Sequence, residues 1–144
     1  MELRDSNPEE ITFTIPGIGI SMNCAYSPIG RGKLVMVKRA RDFKEKVITF
    51  TPYFKVDVAR RPLFSFESLI YDNWYTKSGD KLLRKDIQNL LKILIDSVMY
   101  KIGLDDSSIW DCSIRKVQET NNPKIIVRLR VLEYLIKGQE LTAH

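Results

Sequence analysis

Asp86-Ile-Gln-Asn-Leu-Leu-Lys-Ile-Leu-Ile-Asp-Ser-Val-Met-Tyr-Lys-Ile-Gly103 is the stretch from which the rest of the chain is best read. At about 100° per residue, Ile87, Leu90, Leu91, Leu94, Ile95 and Val98 fall on one arc. Gln88, Asn89, Lys92 and Asp96 share the opposite arc, so the spacing predicts an amphipathic helix with a defined polar side. Asp86 stands where a carboxylate caps free N–H groups and meets the positive end of the helix dipole. Gly103 closes the pattern.

Working outward, residues 73–85 are polar and basic and read as a surface loop carrying Lys77, Lys81, Arg84 and Lys85. Before it, Phe64, Phe66 and Ile70 alternate with Ser65, Leu69 and Tyr71 in a largely buried strand. After the helix come Leu104-Asp-Asp-Ser-Ser108 and a second alternation, Trp110, Cys112 and Ile114 against Asp111, Ser113 and Arg115. Trp110 reads as core. Asn121-Asn-Pro123 makes a turn, and Ile125, Val127, Leu129 and Val131 give a last strand.

Further out, Ala40, Phe43 and Val47 predict a helix over 38–50 that stops at Pro52. Ile11, Phe13 and Ile15 predict a half-buried strand ended by Pro16-Gly17, and the glycines and proline of 17–37 indicate loops or a loose hairpin. The order is β-loop-α-β-α-β-β, a mixed α/β (α+β) fold with a mixed sheet. With no repeat or linker, residues 1–144 read as one domain, with 1–9 and 137–144 as loose termini.

Composition narrows the chemistry. Cys24 and Cys112 sit in unrelated contexts and form no C-x-x-C pair, and His144 is the one histidine, so a His/Cys zinc site or a histidine-assisted nucleophile is not expected. Hydrolytic chemistry must then come from carboxylates, lysine or a hard metal ion, with no organic cofactor. A formal charge of +5, from 23 Lys+Arg against 18 Asp+Glu, favours phosphate or an acidic surface. There is no apolar run near the roughly 20 residues that cross a bilayer. The opening Met1-Glu-Leu-Arg-Asp-Ser-Asn-Pro-Glu-Glu10 is too polar for a secretory signal, so the expectation is a cytoplasmic protein with no membrane partner. Gly30-Arg-Gly-Lys33 is too short and wrongly spaced for a phosphate-cradling loop.

A basic loop, a helix opening on a carboxylate and the acidic pair Asp105-Asp106 before a strand form the chemical constellation. Mg²⁺ takes hard oxygen ligands, and one or two carboxylates with substrate phosphates are enough to hold it. A lysine on the polar helix face then offsets charge on a scissile phosphate. Spacing alone also fits a plainer structure: Asp86 as an N-cap, Asp105-Asp106 as a turn, and Lys92 as a solvated side chain.

Arg84-Lys-Asp-Ile-Gln-Asn-Leu-Leu-Lys92, Asp96, Gly103-Leu-Asp-Asp106 and Ile109 together resemble the signature of the RusA family of Holliday-junction resolvases. Thr12-Phe-Thr-Ile-Pro16, Ser21-Met-Asn23, the basic 38–50 segment and the final hairpin extend the likeness over most of residues 11–132. The resemblance implies a homodimer that binds four-way branched DNA and cuts it symmetrically with Mg²⁺, Mn²⁺ being an alternative. Twofold symmetry suits a substrate with its own pseudo-twofold axis. It further implies that Asp86 and Asp106 are catalytic metal carboxylates and Lys92 the catalytic-site lysine. Lys77, Lys81, Arg84, Lys85 and Asn89 would be contacts to DNA, with Asp96 a further polar position of the helix.

Gln88 departs from the pattern, standing where the family has a second metal-binding aspartate. A neutral amide beside a divalent ion forgoes attraction worth kcal/mol. Three readings stay open: a weakened site, a site completed by Asp72 or Glu67, or a junction-binding protein without activity. Trp74 and Tyr75, in the basic loop, either stack on unpaired bases or cap the core. Arg39, Arg41, Lys44 and Lys46 read as a solvated helix face that also suits phosphates.

Overall fold

Strand alternation and helical periodicity resolve into a mixed sheet with two helices on one face. The computed structural model describes residues 9–17, 26–29, 33–36, 38–83 and 87–136. The elements are β1 (Glu10–Pro16), β2 (Tyr26–Ile29), β3 (Lys33–Met36), α1 (Lys38–Phe50), β4 (Pro62–Asp72), α2 (Ile87–Ile102), β5 (Ile109–Gln118) and β6 (Lys124–Tyr134). Four strands form a sheet in the order β1-β6-β4-β5, and β2 and β3 pair as a separate hairpin within the segment expected to be loops or a loose hairpin. β6 runs antiparallel to both β1 and β4, whereas β5 is parallel to β4, so α2 is the crossover of a βαβ unit.

The even-numbered residues of β4, Phe64, Phe66, Ser68 and Ile70, are buried, while Ser65, Glu67, Leu69 and Tyr71 are half-buried on the other face. Ile15 of β1 and Ile125, Val127 and Leu129 of β6 join the buried face. Against them pack Ala40, Phe43 and Val47 of α1 and Leu90, Ile93, Leu94, Val98 and Met99 of α2, all in one core cluster. At roughly 1.5–3 kcal/mol for each large apolar side chain fully buried, this layer is the main source of stability.

α2 ends as its sequence dictates. Gly103 adopts φ 93°, its N–H reaches the Tyr100 carbonyl at 3.1 Å, and the Leu104 N–H reaches that of Met99 at 3.0 Å. This Schellman arrangement satisfies carbonyls that the helix leaves open, and the left-handed conformation favours glycine.

The apolar arc of α2 faces the core as its spacing predicts: Leu90, Leu94 and Val98 are buried in it, and Ile87, Leu91 and Ile95 pack against it. The covered face is wider than that arc and takes in Ile93, Ser97 and Met99. Ser97 is accommodated there by donating its hydroxyl to the Ile93 carbonyl at 2.6 Å. Two expectations need correction. Trp110 is not core but 73% exposed. β5 is a sheet edge, and the register skips Trp110 between the Phe64–Ile109 and Ser65–Asp111 pairs, so the indole occupies a bulge. Glu9, read as part of a loose lead-in, is tied down: its carbonyl accepts from the Val131 N–H at 2.9 Å and its carboxylate from the Tyr134 hydroxyl at 2.7 Å. Burial, followed by the Glu9 carboxylate, pushes the Tyr134 phenol up.

Candidate active site

α2 carries Gln88, Lys92 and Asp96 at i, i+4 and i+8, a spacing that stacks them along one stripe of the helix. Leu91 and Ile95 run beside them. Together with Asp106 these residues line a cavity of about 220 Å³. Within the acidic pair the two aspartates have different surroundings. Asp105 caps the 3-10 turn Asp106–Ser108, its carboxylate accepting the Ser107 N–H at 2.9 Å and the Ser107 hydroxyl. Those bonds hold the Asp105 carboxyl below its ordinary range. Asp106 instead turns to the cavity, near enough for its charge to act on Asp96.

Partial burial pushes the Asp96 carboxyl up, the Asp106 charge adds to this, and Lys92 and then Lys44 oppose it. An acid raised in the folded state is more easily ionised when unfolded, so it lowers stability as pH rises through the carboxylate range. Asp96→Asn is therefore expected to raise the Tm at pH 7 in the presence of a chelator. The gain should be up to about 2 °C once solvent screening is allowed for, and absent near pH 3. Thermal melts at the two pH values check this; an equal gain at both would remove the charge explanation.

The cluster is extended along the helix. Eight residues separate Gln88 from Asp96, about 12 Å of axial rise, and Asp106 lines the same cavity as both and acts on Asp96. Asp86, Arg84 and Lys85 fall outside the described residues, as do Ser21 and Asn23. Among the described residues, no group of three or more His, Cys, Asp or Glu side chains is placed to hold a metal ion. The donors present, a carboxylate at Asp106, another at Asp96 and an amide oxygen at Gln88, are hard oxygens of the kind Mg²⁺ takes.

The substitutes considered for Gln88 differ in placement. Glu67 lies on the sheet face away from α2 and is bonded to Arg128, with Nη2 at 2.7 Å and Nε at 2.8 Å, so it does not complete this cluster. Asp72 ends β4, and its Oδ1 accepts the Asn73 N–H at 2.7 Å. A larger cavity, about 500 Å³, lies on the face of Glu67 and Arg128 and is separate from Gln88, Lys92 and Asp106.

Of the basic loop, Lys77 and Lys81 are exposed, and Asn89 on α2 is half-buried. Trp74 is a core residue, 5% exposed, with its indole N–H 3.0 Å from the Val117 carbonyl. Two cations were missed as neighbours of these groups. The Lys44 charge on α1 acts on Asp96, a relation between elements that no local pattern signals. Lys116 sits 4.9 Å from the centre of the Trp74 ring, at the end of β5.

Residues 67–130 match the family model described as Endodeoxyribonuclease RusA. Over this segment the chain is similar to the RusA family. It runs from β4 through α2 and β5 into β6, and so contains every residue lining the 220 Å³ cavity. β1 and α1, with Lys44, lie outside the RusA match. A comparison with curated proteins gave no match. The similarity is thus to a family of endodeoxyribonucleases. No helix among the described residues is long and apolar enough to cross a membrane.

Proposed function

We propose that the protein is a divalent-metal-dependent endonuclease that resolves four-way DNA junctions as a homodimer. The observation that carries the reading is the cavity in which Gln88, Lys92, Asp96 and Asp106 meet, inside the RusA-matching segment. Asp106 and Asp86, with the Gln88 amide oxygen, would hold Mg²⁺ or Mn²⁺. Such an ion, when bound, supplies charge neutralisation and an activated water for phosphodiester hydrolysis.

The chain's own groups do the rest. Lys92, exposed beside Asp96, offsets charge on the scissile phosphate. Lys77 and Lys81 hold the flanking backbone, together with Arg84 and Lys85 of the same loop and Asn89, by phosphate contacts that position the strand. A homodimer suits the reading, because two identical sites related by a twofold axis match a substrate with its own pseudo-twofold axis.

The test is single-turnover cleavage of a synthetic four-way junction against a linear duplex, with Mg²⁺ and with Mn²⁺. Junction cleavage by a dimer is expected; a strictly monomeric protein, or no preference for the junction, would count against the reading. Gln88→Asp adds the missing charge, so it should tighten Mg²⁺ binding by roughly tenfold and raise cleavage. Calorimetric titration and cleavage rates check it.

A second reading is a junction-binding protein of the same fold without catalysis. Gln88, a neutral amide where a carboxylate is expected, favours it. Junction binding with no cleavage in either metal, unchanged by Gln88→Asp, would select it.

A further inference from the structure

The loop between β4 and α2 forms a second cavity, of about 420 Å³, walled by Asn73, Tyr75, Thr76, Lys77, Gln118 and Thr120. It lies beyond the carboxyl ends of the parallel strands β4 and β5, where sheets with parallel strands commonly bind ligands. Its volume is in the range of small-molecule sites.

The cavity is built before any ligand arrives. Trp74 anchors the loop in the core: its backbone N–H donates to Gln118 Oε1 at 2.8 Å and its indole to Val117. Gln118 Nε2 donates to Asn73 Oδ1 at 2.8 Å, which fixes both amides in the wall. Tyr75 bridges to Leu82, the Leu83 N–H reaches the Trp74 carbonyl at 2.8 Å, and the Thr76 N–H reaches that of Lys81 at 2.9 Å. Gly79 turns the tip at φ 78°, and Asp80 accepts from Ser78 and Thr76. On this frame the Tyr75 ring is held 43% exposed, although its neighbour Trp74 is buried.

An aromatic face, two amides, two threonines and one lysine suit a flat π-bearing ligand with a hydrogen-bonding edge and a nearby negative charge. Amides pair with base edges, and aromatic rings stack on bases of any sequence. In a closed duplex each base is stacked on its neighbours and presents no face to Tyr75, whereas a branch point can offer one. We infer that this cavity receives an unpaired nucleobase at the centre of a DNA junction, stacked on Tyr75 with Asn73, Gln118 and Thr120 at its edge and Lys77 on the adjoining phosphate. The inference rests on the junction reading above and adds a base-binding site at a distance from the carboxylates.

The test measures binding by the full-length protein in EDTA to three DNAs: a four-way junction, a paired linear duplex, and the same duplex carrying one unpaired base. Tyr75→Ala should weaken the junction and the bulged duplex about tenfold and leave the paired duplex unchanged. Tyr75→Phe keeps the ring and should bind like wild type. Lys77→Ala should weaken all three alike and reduce the salt slope by about one. Thermal melts matching wild type establish that the variants are folded. Equal loss on all three DNAs with Tyr75→Ala, or no loss on any, would overturn the inference. If wild type prefers the bulged duplex through Tyr75 but not the junction, the base site stands and the resolvase reading falls. If the junction preference survives Tyr75→Ala intact, the base site alone is lost.

Discussion

Asp106→Asn should abolish metal-dependent junction cleavage, with a fall of at least roughly 10²–10³-fold in the single-turnover rate. The substitution keeps the side-chain shape and removes the charge that the cavity directs toward Asp96 and Lys92. Junction affinity in EDTA should hold or rise slightly, because one negative charge near the phosphates is gone. Asp105→Asn is the informative neighbour. Asp105 is occupied by Ser107 at the start of the 3-10 turn, so its loss should cost stability and spare the chemistry. If the two variants lose cleavage equally while Asp106→Asn melts like wild type, the assignment of separate roles to the pair is wrong.

Phe66→Ala should destabilise the fold by about 3–5 kcal/mol and lower the Tm by on the order of 10 °C. Phe66 is completely buried in β4, paired with Leu129 of β6 on one side and Cys112 of β5 on the other. It faces the layer of α1 and α2, where few groups can collapse into the space that the ring leaves. Trp110→Ala, a change of similar size at an exposed bulge, should shift the urea midpoint by little. A large loss at Trp110 with a small one at Phe66 would invert the picture of where the core lies.

That contrast also marks what the sequence could and could not supply. α1 occupies Lys38–Phe50, the span its Ala40, Phe43 and Val47 spacing predicts, because a 3.6-residue period is a local property. The β4-α2-β5-β6 order was legible for the same reason. Trp110 misleads because alternation says which residues share a face, and only the position of the strand in the sheet decides whether that face is covered. In the candidate site, the Gln88, Lys92 and Asp96 stripe follows from helix geometry alone. The influence of Asp106 and of Lys44 on Asp96 depends on how the chain returns after Gly103 and on the packing of α1. Spacing within a single element carries neither.

The strand order has a consequence for how the molecule is made. β6 lies between β1 and β4 yet follows both in the chain, pairing residues 10–16 with 124–130 and residues 62–71 with 124–134. Until those residues leave the ribosome, β1 has no sheet neighbour and one edge of β4 stays open. The long-range pairings must then form together, which is the slow, non-local kind of closure. The nascent chain meanwhile exposes two hydrophobic strand edges, Ile11-Thr-Phe-Thr-Ile15 and Phe64-Ser-Phe66, that are open to pairing with the wrong partner.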